Sequence, residues 1–256
     1  MFNNFNEKGL SQVIDLKKWG ISTFSLKLIA VWTMFIDHFS IVFLADHQKL
    51  YLTGRAIGRL SFPIFCFILV EGFFYTKNRL KHGILLGIFA LISEVPYDLL
   101  YESVFDLERQ NVFFSLFIGY MMIWGLEFIT SSVINYPQKL LDKIGSLRLD
   151  SFMELVVMSV AFLMAYFIKC SYSYAGIMLI LCFYVFRKYH IGRLVANVIF
   201  NMGMFGYSIQ WFGALSAIII AFYNNTPGRF KWKYFFYLFY PVHILVLVGI
   251  KIFLIK

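Results

Sequence analysis

The fold of this chain is decided by residues 24–44, which read FSLKLIAVWTMFIDHFSIVFL. This run is long and apolar enough to form a helix that crosses a bilayer, for which about 20 residues are needed. It also carries Asp37 and His38 past its midpoint, where an ionisable group costs several kcal/mol unless it meets a partner. We therefore expect a transmembrane helix whose polar residues are matched by other helices.

The composition of the whole chain agrees with a membrane protein. Of its 256 residues, 60% are apolar and only 14% are charged, and the mean hydropathy is +0.73, far from the values of a soluble domain. The apolar runs have about 17 to 22 residues, not the alternating segments of about 10 that form outer-membrane barrels. The predicted fold class is an all-α, polytopic integral membrane helix bundle.

Nine transmembrane helices are predicted, with a short loop at residues 45–53 after the first of them. In the second of them, Pro63 is expected to kink the helix and free a backbone carbonyl. Residues 194–223 are interrupted by glycines, so that two short spans and one helix with a re-entrant segment both fit. The predicted spans cover residues 24–44, 56–76, 82–100, 112–130, 152–168, 172–186, two stretches within 194–223, and 234–254.

The chain is expected to form a single transmembrane domain over residues 25–256, preceded by a polar cytosolic leader at residues 1–24. An interfacial helix is predicted around residues 13–19. The leader lacks the apolar core and small-residue cleavage site of a removable signal peptide. We therefore expect the first span to direct membrane insertion.

The distribution of lysine and arginine predicts the orientation. Alternate segments between the spans each contain three basic residues, and segments rich in Lys and Arg face the cytosol. The N-terminus is therefore predicted to be cytosolic. The protein is predicted to lie in the plasma (inner) membrane. Because this bias accounts for the net charge of +9, no nucleic-acid partner is predicted. The basic groups are Lys8, Lys17, Lys18; Lys77, Arg79, Lys81; Lys139, Lys143, Arg148; Arg187, Lys188, Arg193; and Arg229, Lys231, Lys233.

The cysteines do not indicate a metal site. Cys66, Cys170 and Cys182 stand singly in or beside apolar runs, without the CxxC spacing of zinc ligands or a disulfide framework. We expect them to be small buried hydrophobic residues. No metal cofactor is predicted.

Polar residues near the outer ends of four consecutive spans are predicted to line one outward-opening cavity. Asp37 and His38 point about 100° apart on a helix, so Asp37 is expected to pair with Arg59 and leave His38 free for proton transfer. An ion pair that only fixes helix register fits equally well. The residues expected at this depth are Asp37, His38, Arg59, Glu94, Asp98 and Asn111.

Two further ionisable residues are predicted to lie deep in the membrane. His243 shares a helix face with Tyr237 and Tyr240, and we expect it apart from His38, on the cytosolic side or near the middle. An aromatic belt with one hydrogen-bonded core histidine is the alternative for this face. Glu71 has no partner visible in the sequence.

The chain lacks the P-loop, GxGxxG, GxSxG and HExxH motifs, so the usual signals of nucleotide hydrolysis, dinucleotide binding, triad hydrolysis and zinc proteolysis are missing. From the residues alone, a membrane transferase and a proton-coupled transporter both remain open. A non-catalytic assembly scaffold is the third class, but it does not need so many deep ionisable groups.

Six stretches of the chain resemble the TraX family. The similarity is strong over about residues 25–130 and extends to the last 50 residues. The resemblance implies a membrane-embedded acetyltransferase that uses acetyl-CoA and modifies the N-terminal amine of a pilin-like or other membrane or exported peptide. The stretches are MFIDH at 34–38, IGRLSFPIF at 57–65, LVEGF at 69–73, LISEVPYDL at 91–99, QNVFF at 110–114 and FYLFYPVH at 236–243.

This reading suggests roles for individual residues. We expect His38 to act as general base on the acceptor amine, oriented by Asp37 or Glu94. Arg59 or Asn111 would polarise the thioester carbonyl. Transfer through an acetyl-histidine intermediate remains open. His243 would assist from the CoA side, and the remaining candidates for substrate or cofactor binding are Glu71, Asp98 and Tyr240.

Overall fold

The computed structural model describes residues 20–131, 146–204, 208–230 and 232–255. The interfacial helix predicted around residues 13–19, and with it most of the predicted leader, lies outside these residues. The helices are α1 Thr23–Phe43, α2 Gln48–Gly58, α3 Ser61–Tyr75, α4 Arg79–Ile92, α5 Glu94–Leu99, α6 Val112–Ser131, α7 Ser146–Phe167, α8 Ser173–Val185, α9 His190–Gly203, α10 Ser216–Ala221 and α11 Lys233–Ile255, with a 3-10 helix at Ile209–Leu215.

Six helical segments are long and apolar enough to cross a membrane. Two further apolar segments, Ser173–Val185 and Ile209–Ala221, are shorter. The prediction of an all-helical, polytopic membrane protein is therefore confirmed, whereas the count of nine spans and the cytosolic N-terminus stay predictions. The six segments are Thr23–Phe43, Gln48–Tyr75, Arg79–Leu99, Val112–Ser131, Arg148–Phe167 and Tyr234–Leu254.

The second span differs from its prediction. Residues 48–53, predicted as loop, belong to α2, and the helical path is interrupted at Arg59 and Leu60 before α3 begins. Pro63 is the third residue of α3, where the backbone N–H has no partner within the helix. The helical path breaks at Arg59, four residues before Pro63, which is the residue whose carbonyl the proline was expected to free.

One other predicted span is subdivided, and the interrupted region 194–223 has two helical segments. Ser93 separates α4 from α5 within the third predicted span. The region 194–223 forms the amphipathic helix α9 followed by the 3-10 helix and α10. Neither of these two segments has the length of a regular span.

Helix α3 occupies the centre of the bundle. Eleven of its 15 residues are buried, and a helix that is buried all round has no polar face. It belongs to one core cluster with residues of α1, α6 and α11. This packing surrounds the polar groups of α1 with protein on several sides.

Backbone hydrogen bonds connect distant loops at the two ends of the bundle. Ile21 N donates to Phe222 O at 2.7 Å, which attaches the start of α1 to the residues after α10. At the other end, Gln110 N donates to Lys169 O at 3.1 Å, which attaches the start of α6 to the end of α7. The loop of residues 169–173 is thereby held beside the C-terminal half of α1.

Candidate functional site

A polar cavity of about 510 Å³ lies between α1, α2, α5, α11 and the loop of residues 169–173. This volume is within the range of small-molecule sites. Of the predicted site residues, Asp37, His38, Arg59 and Tyr240 line it. We call it the polar cavity.

Asp37 is saturated by two arginines. Arg55 Nη1 donates to its Oδ2 at 2.5 Å, and Arg59 Nη2 donates to both oxygens at 2.8 and 3.0 Å. The predicted contact between Asp37 and Arg59 is present, while Arg55 was missed. Because one buried carboxylate lies between two guanidinium groups, Asp37, Arg55 and Arg59 together carry a net positive charge.

Two glycines of α2 explain how Arg55 reaches Asp37. A Cβ on Gly58 would lie 2.2 Å from Asp37 Oδ1, and one on Gly54 would lie 1.8 Å from Ser40 Oγ. Small residues four apart let two membrane helices approach closely. The GxxxG spacing of residues 54–58 was therefore the sequence signal that placed Arg55 beside α1.

His38 does not point towards Asp37 but bonds to His243, with Nδ1 2.7 Å from His243 Nε2. The two rings are stacked with centroids 5.0 Å apart. The expectation that His38 is free and that His243 lies apart is therefore wrong. The aromatic helix α11, which contains Pro241, carries His243 to His38, which a count of residues along one helix could not reveal.

The hydrogen bonds determine the tautomers of this histidine pair. His243 Nδ1 lies 2.6 Å from Phe239 O, and because a carbonyl only accepts, Nδ1 carries the proton. Neutral His243 then accepts at Nε2, so the Nδ1 of His38 must donate. Nε2 of His38 is left as an unprotonated acceptor, and no described residue bonds to it.

Glu94 and Asn111 form a separate contact. Asn111 Nδ2 donates to Glu94 Oε2 and to Ala90 O, the latter at 2.7 Å, and Asn111 Oδ1 accepts from Phe113 N at 2.9 Å. Neither side chain is among those lining the polar cavity. Orientation of His38 by Glu94 and carbonyl polarisation by Asn111 therefore do not fit the geometry, because both groups serve to begin α6.

Asp98 has a similar location. Its Oδ2 accepts from Asp106 N at 2.9 Å, and only 1% of the residue is exposed. Like Glu94, it is not among the residues that line the polar cavity. The structure assigns Asp98 a contact that holds the loop before α6, and the prediction of one cavity lined by both carboxylates is wrong.

Glu71 has the partner that was invisible in the sequence. Arg187 Nε donates to its Oε1 at 3.1 Å, and Glu71 is 4% exposed. Glu71 also lines a second cavity, of about 580 Å³, whose walls are mostly apolar. We call this the apolar cavity; it extends along α1 from Thr23 to Met34.

The polar cavity carries an excess of positive charge. Its charged wall residues are Asp37, Arg55, Arg59, Glu108, Arg109 and Lys169. Within the described ranges, no three His, Cys, Asp or Glu side chains are grouped so that they could hold a metal ion. The chemistry that these walls can supply is therefore proton transfer at His38 and electrostatic stabilisation by the arginines.

The fold and the site define a polytopic helical membrane protein with a polar cavity whose wall includes His38 of a histidine pair. The chain belongs to the TraX family, because the family model described as "TraX protein" matches residues 22–251. It is similar to "Probable fimbrial assembly protein FimC, serogroup H1" of Dichelobacter nodosus, at 28% identity over 260 residues, 91% of this chain and 97% of the relative. No solved structure matches it. The predicted resemblance to the TraX family is confirmed.

Proposed function

We propose that this protein is an acetyltransferase of the plasma (inner) membrane that moves an acetyl group from acetyl-CoA to an acceptor amine. The observation that carries the proposal is that His38 lines the polar cavity, while its Nε2, left unprotonated by the contacts of His243, has no hydrogen bond to a described residue. A general base of this kind is what an amine needs before it attacks a thioester. Membership of the TraX family supports the same reaction class.

The transfer forms one bond and breaks another. The neutral amine attacks the carbonyl carbon of the thioester, so that a C–N bond forms and the C–S bond breaks. Nε2 of His38 accepts the proton that the amine loses and returns it to the departing thiolate. The products are the acetylated amine and free CoA, and no other reactant is needed.

Arg59 is suited to stabilise the negative charge that develops on the carbonyl oxygen. It uses Nη2 for Asp37 and Nε for Arg55 O, and its Nη1 has no hydrogen bond to a described residue. Donors preorganised in a site from which water is excluded contribute much to such transition states. Asp37 holds the guanidinium in place and so acts as a positioning residue.

The acceptor is proposed to be the N-terminal amine of a pilin-like or other exported peptide. The curated relative is described as a fimbrial assembly protein, which supports an acceptor of this kind. An α-amine is more readily neutral near pH 7 than a lysine side chain. The positive walls of the polar cavity favour the neutral, nucleophilic form further.

Purified protein incubated with acetyl-CoA labelled in the acetyl group tests the proposal. A synthetic peptide with the N-terminal sequence of a pilin serves as acceptor, and an otherwise identical peptide with a blocked N-terminus is the control. We expect covalent label only on the peptide with a free amine. Absence of label on both peptides, with protein that is folded, contradicts the proposal for this acceptor class.

A proton-coupled transporter is the second candidate, and the two cavities favour it. They lie along opposite halves of α1 and share four wall residues, so that a substrate path through the bundle could pass between them. Uptake into proteoliposomes driven by a pH gradient, without any acetylated product, would support transport. Acetylation that proceeds without a gradient would exclude transport as the explanation of that activity.

A further inference from the structure

The polar and apolar cavities share part of their walls next to His38, at four residues that we call the constriction. Both are lined by Met34, Phe65, Val112 and Tyr240. The ring of Tyr240 packs against that of His38, with centroids 5.8 Å apart. A molecule that fills the apolar cavity therefore ends beside His38, separated from it only by these four side chains.

The apolar cavity extends along the first half of α1. From Thr23 to Met34 the helix advances about 16 Å, and both residues line the cavity. Its walls are largely aliphatic and aromatic, whereas Thr23, Lys27, Thr76 and Asn225 add polar groups on the side where α1 begins. One end of the ligand is thus expected to be polar.

Basic residues lie in and next to this polar end. Lys27 lines the cavity itself. Thr76, another wall residue, is followed by a segment with Lys77, Arg79 and Lys81. Glu71, the carboxylate of the wall, is neutralised by its contact with Arg187. A ligand with an anionic head and a less polar arm therefore fits better than a cation.

We propose that the apolar cavity binds the pantetheine arm of acyl-CoA, with the thioester at the constriction and the phosphates at the basic end. This inference rests on the proposed function and names the donor site for it. From the phosphate oxygen to sulfur the arm has twelve bonds, the length of about four extended residues or ~14 Å. That length matches the distance from Thr23 to Met34.

The acyl group is then placed one helical turn from the base. Met34 and His38 are four residues apart and lie on the same face of α1, about 6 Å apart along its axis. The donor reaches His38 from the apolar cavity, and the amine reaches it from the polar cavity. Neither substrate has to pass the other.

A thiol-directed probe tests this assignment. The probe is the pyridyl disulfide of CoA, and Met34→Cys is made in protein whose three native cysteines are replaced. The cysteine thiolate attacks the CoA sulfur, which forms a mixed disulfide and releases pyridine-2-thione. We expect labelling of Met34→Cys that excess acetyl-CoA suppresses at least tenfold. Labelling that acetyl-CoA suppresses at Ser173→Cys of the polar cavity, but not at Met34→Cys, would overturn the proposal.

A pair of glycine variants provides the second measurement. A Cβ on Gly72, in the wall of the apolar cavity, would meet only His82 Cε1, at 3.6 Å. Gly72→Leu is therefore expected to fill part of the apolar cavity without disturbing the backbone. Gly249 of α11 has nothing within 4 Å of its Cβ position and lines neither cavity, so Gly249→Leu is the matched control.

We expect Gly72→Leu to raise the KM for acetyl-CoA at least tenfold while Gly249→Leu leaves it unchanged. Both variants are checked for monodisperse elution and thermal unfolding. If wild-type protein transfers acetyl but neither the label nor this KM responds, the donor site is wrong and the transferase stands. If CoA labels Met34→Cys but wild-type protein acetylates no amine, the donor site stands and the proposed transfer fails. Lipid retained in the cavity and not displaced by acetyl-CoA would also overturn the assignment.

Discussion

Asp37 and His38 are neighbours in the chain, but their surroundings differ in one essential way. Both oxygens of Asp37 are occupied by Arg55 and Arg59, whereas His38, which lines the polar cavity, uses one nitrogen for His243 and has no bond to a described residue at the other. A saturated group holds structure together, and an unsaturated one can react. The comparison teaches that two costly residues of one span serve different purposes.

The largest effect is expected when His38, the proposed general base, is removed. His38→Ala is expected to lower acetyl transfer about 10²–10⁴-fold, the usual contribution of a general base, while the protein still folds. The measurement is the initial rate with labelled acetyl-CoA. His47→Ala, at an exposed position, is the control, and a His38→Ala protein with the normal rate would contradict the assigned role.

The next test removes the charge of the saturated group. Asp37→Asn leaves two guanidinium groups beside a neutral amide, and the loss of one partner of a buried ion pair costs about 3–5 kcal/mol. We expect a clear drop in the thermal unfolding temperature in detergent. Glu108→Gln is the control, because Glu108 is 75% exposed in its contact with Lys169 and such pairs contribute about 0–1 kcal/mol. Equal effects of the two changes would show that Asp37 is not a structural centre.

A smaller effect is expected when the arginines are moved away from Asp37. In Gly58→Ala the new Cβ would lie 2.2 Å from Asp37 Oδ1, so α2 must shift, and such overpacking costs about 1–3 kcal/mol. Gly203 also ends a helix, but a Cβ there meets nothing within 4 Å. Gly203→Ala should leave the unfolding temperature unchanged, and an unchanged temperature for Gly58→Ala would refute the close approach of α1 and α2.

The smallest effect concerns the orientation of His38. His243→Leu removes the acceptor for His38 Nδ1 and should slow acetyl transfer about tenfold, the rate equivalent of one modest hydrogen bond. His243→Gln places an amide oxygen near the lost Nε2 and should recover most of the rate. A purely packing role predicts no difference between these variants in rate at equal stability, and that result would remove His243 from the mechanism.

Much of the membrane topology could be predicted because it depends on local composition. The apolar runs of α1, α6 and α11 were located to within a few residues, since hydrophobic length is a property of each segment alone. The subdivision at Ser93 was not foreseen. Both breaks, at Arg59 and Ser93, lie three or four residues before a proline, Pro63 or Pro96, whose missing N–H interrupts the helical hydrogen bonds there.

Prediction of the site was less complete, because the site depends on how the helices pack against one another. Pairing of Asp37 with Arg59 followed from the cost of burying a charge, but Arg55 required the close approach that Gly54 and Gly58 allow. The placement of His243 apart from His38 failed because depth was counted along one helix. Relative rotation and tilt of two helices cannot be obtained in that way.

The sequence by itself determined that this is a polytopic helical membrane protein with ionisable residues that need partners. It also determined the TraX family, since ordered motifs are carried by the chain itself. Only the tertiary structure decided which partner each residue has, because the partner lies on a neighbouring helix. The rotation and tilt of that helix determine which of its side chains is in reach. The contacts that leave Nε2 of His38 without a described partner, and the constriction whose residues line both cavities, exist only when α1, α3, α6 and α11 are packed together.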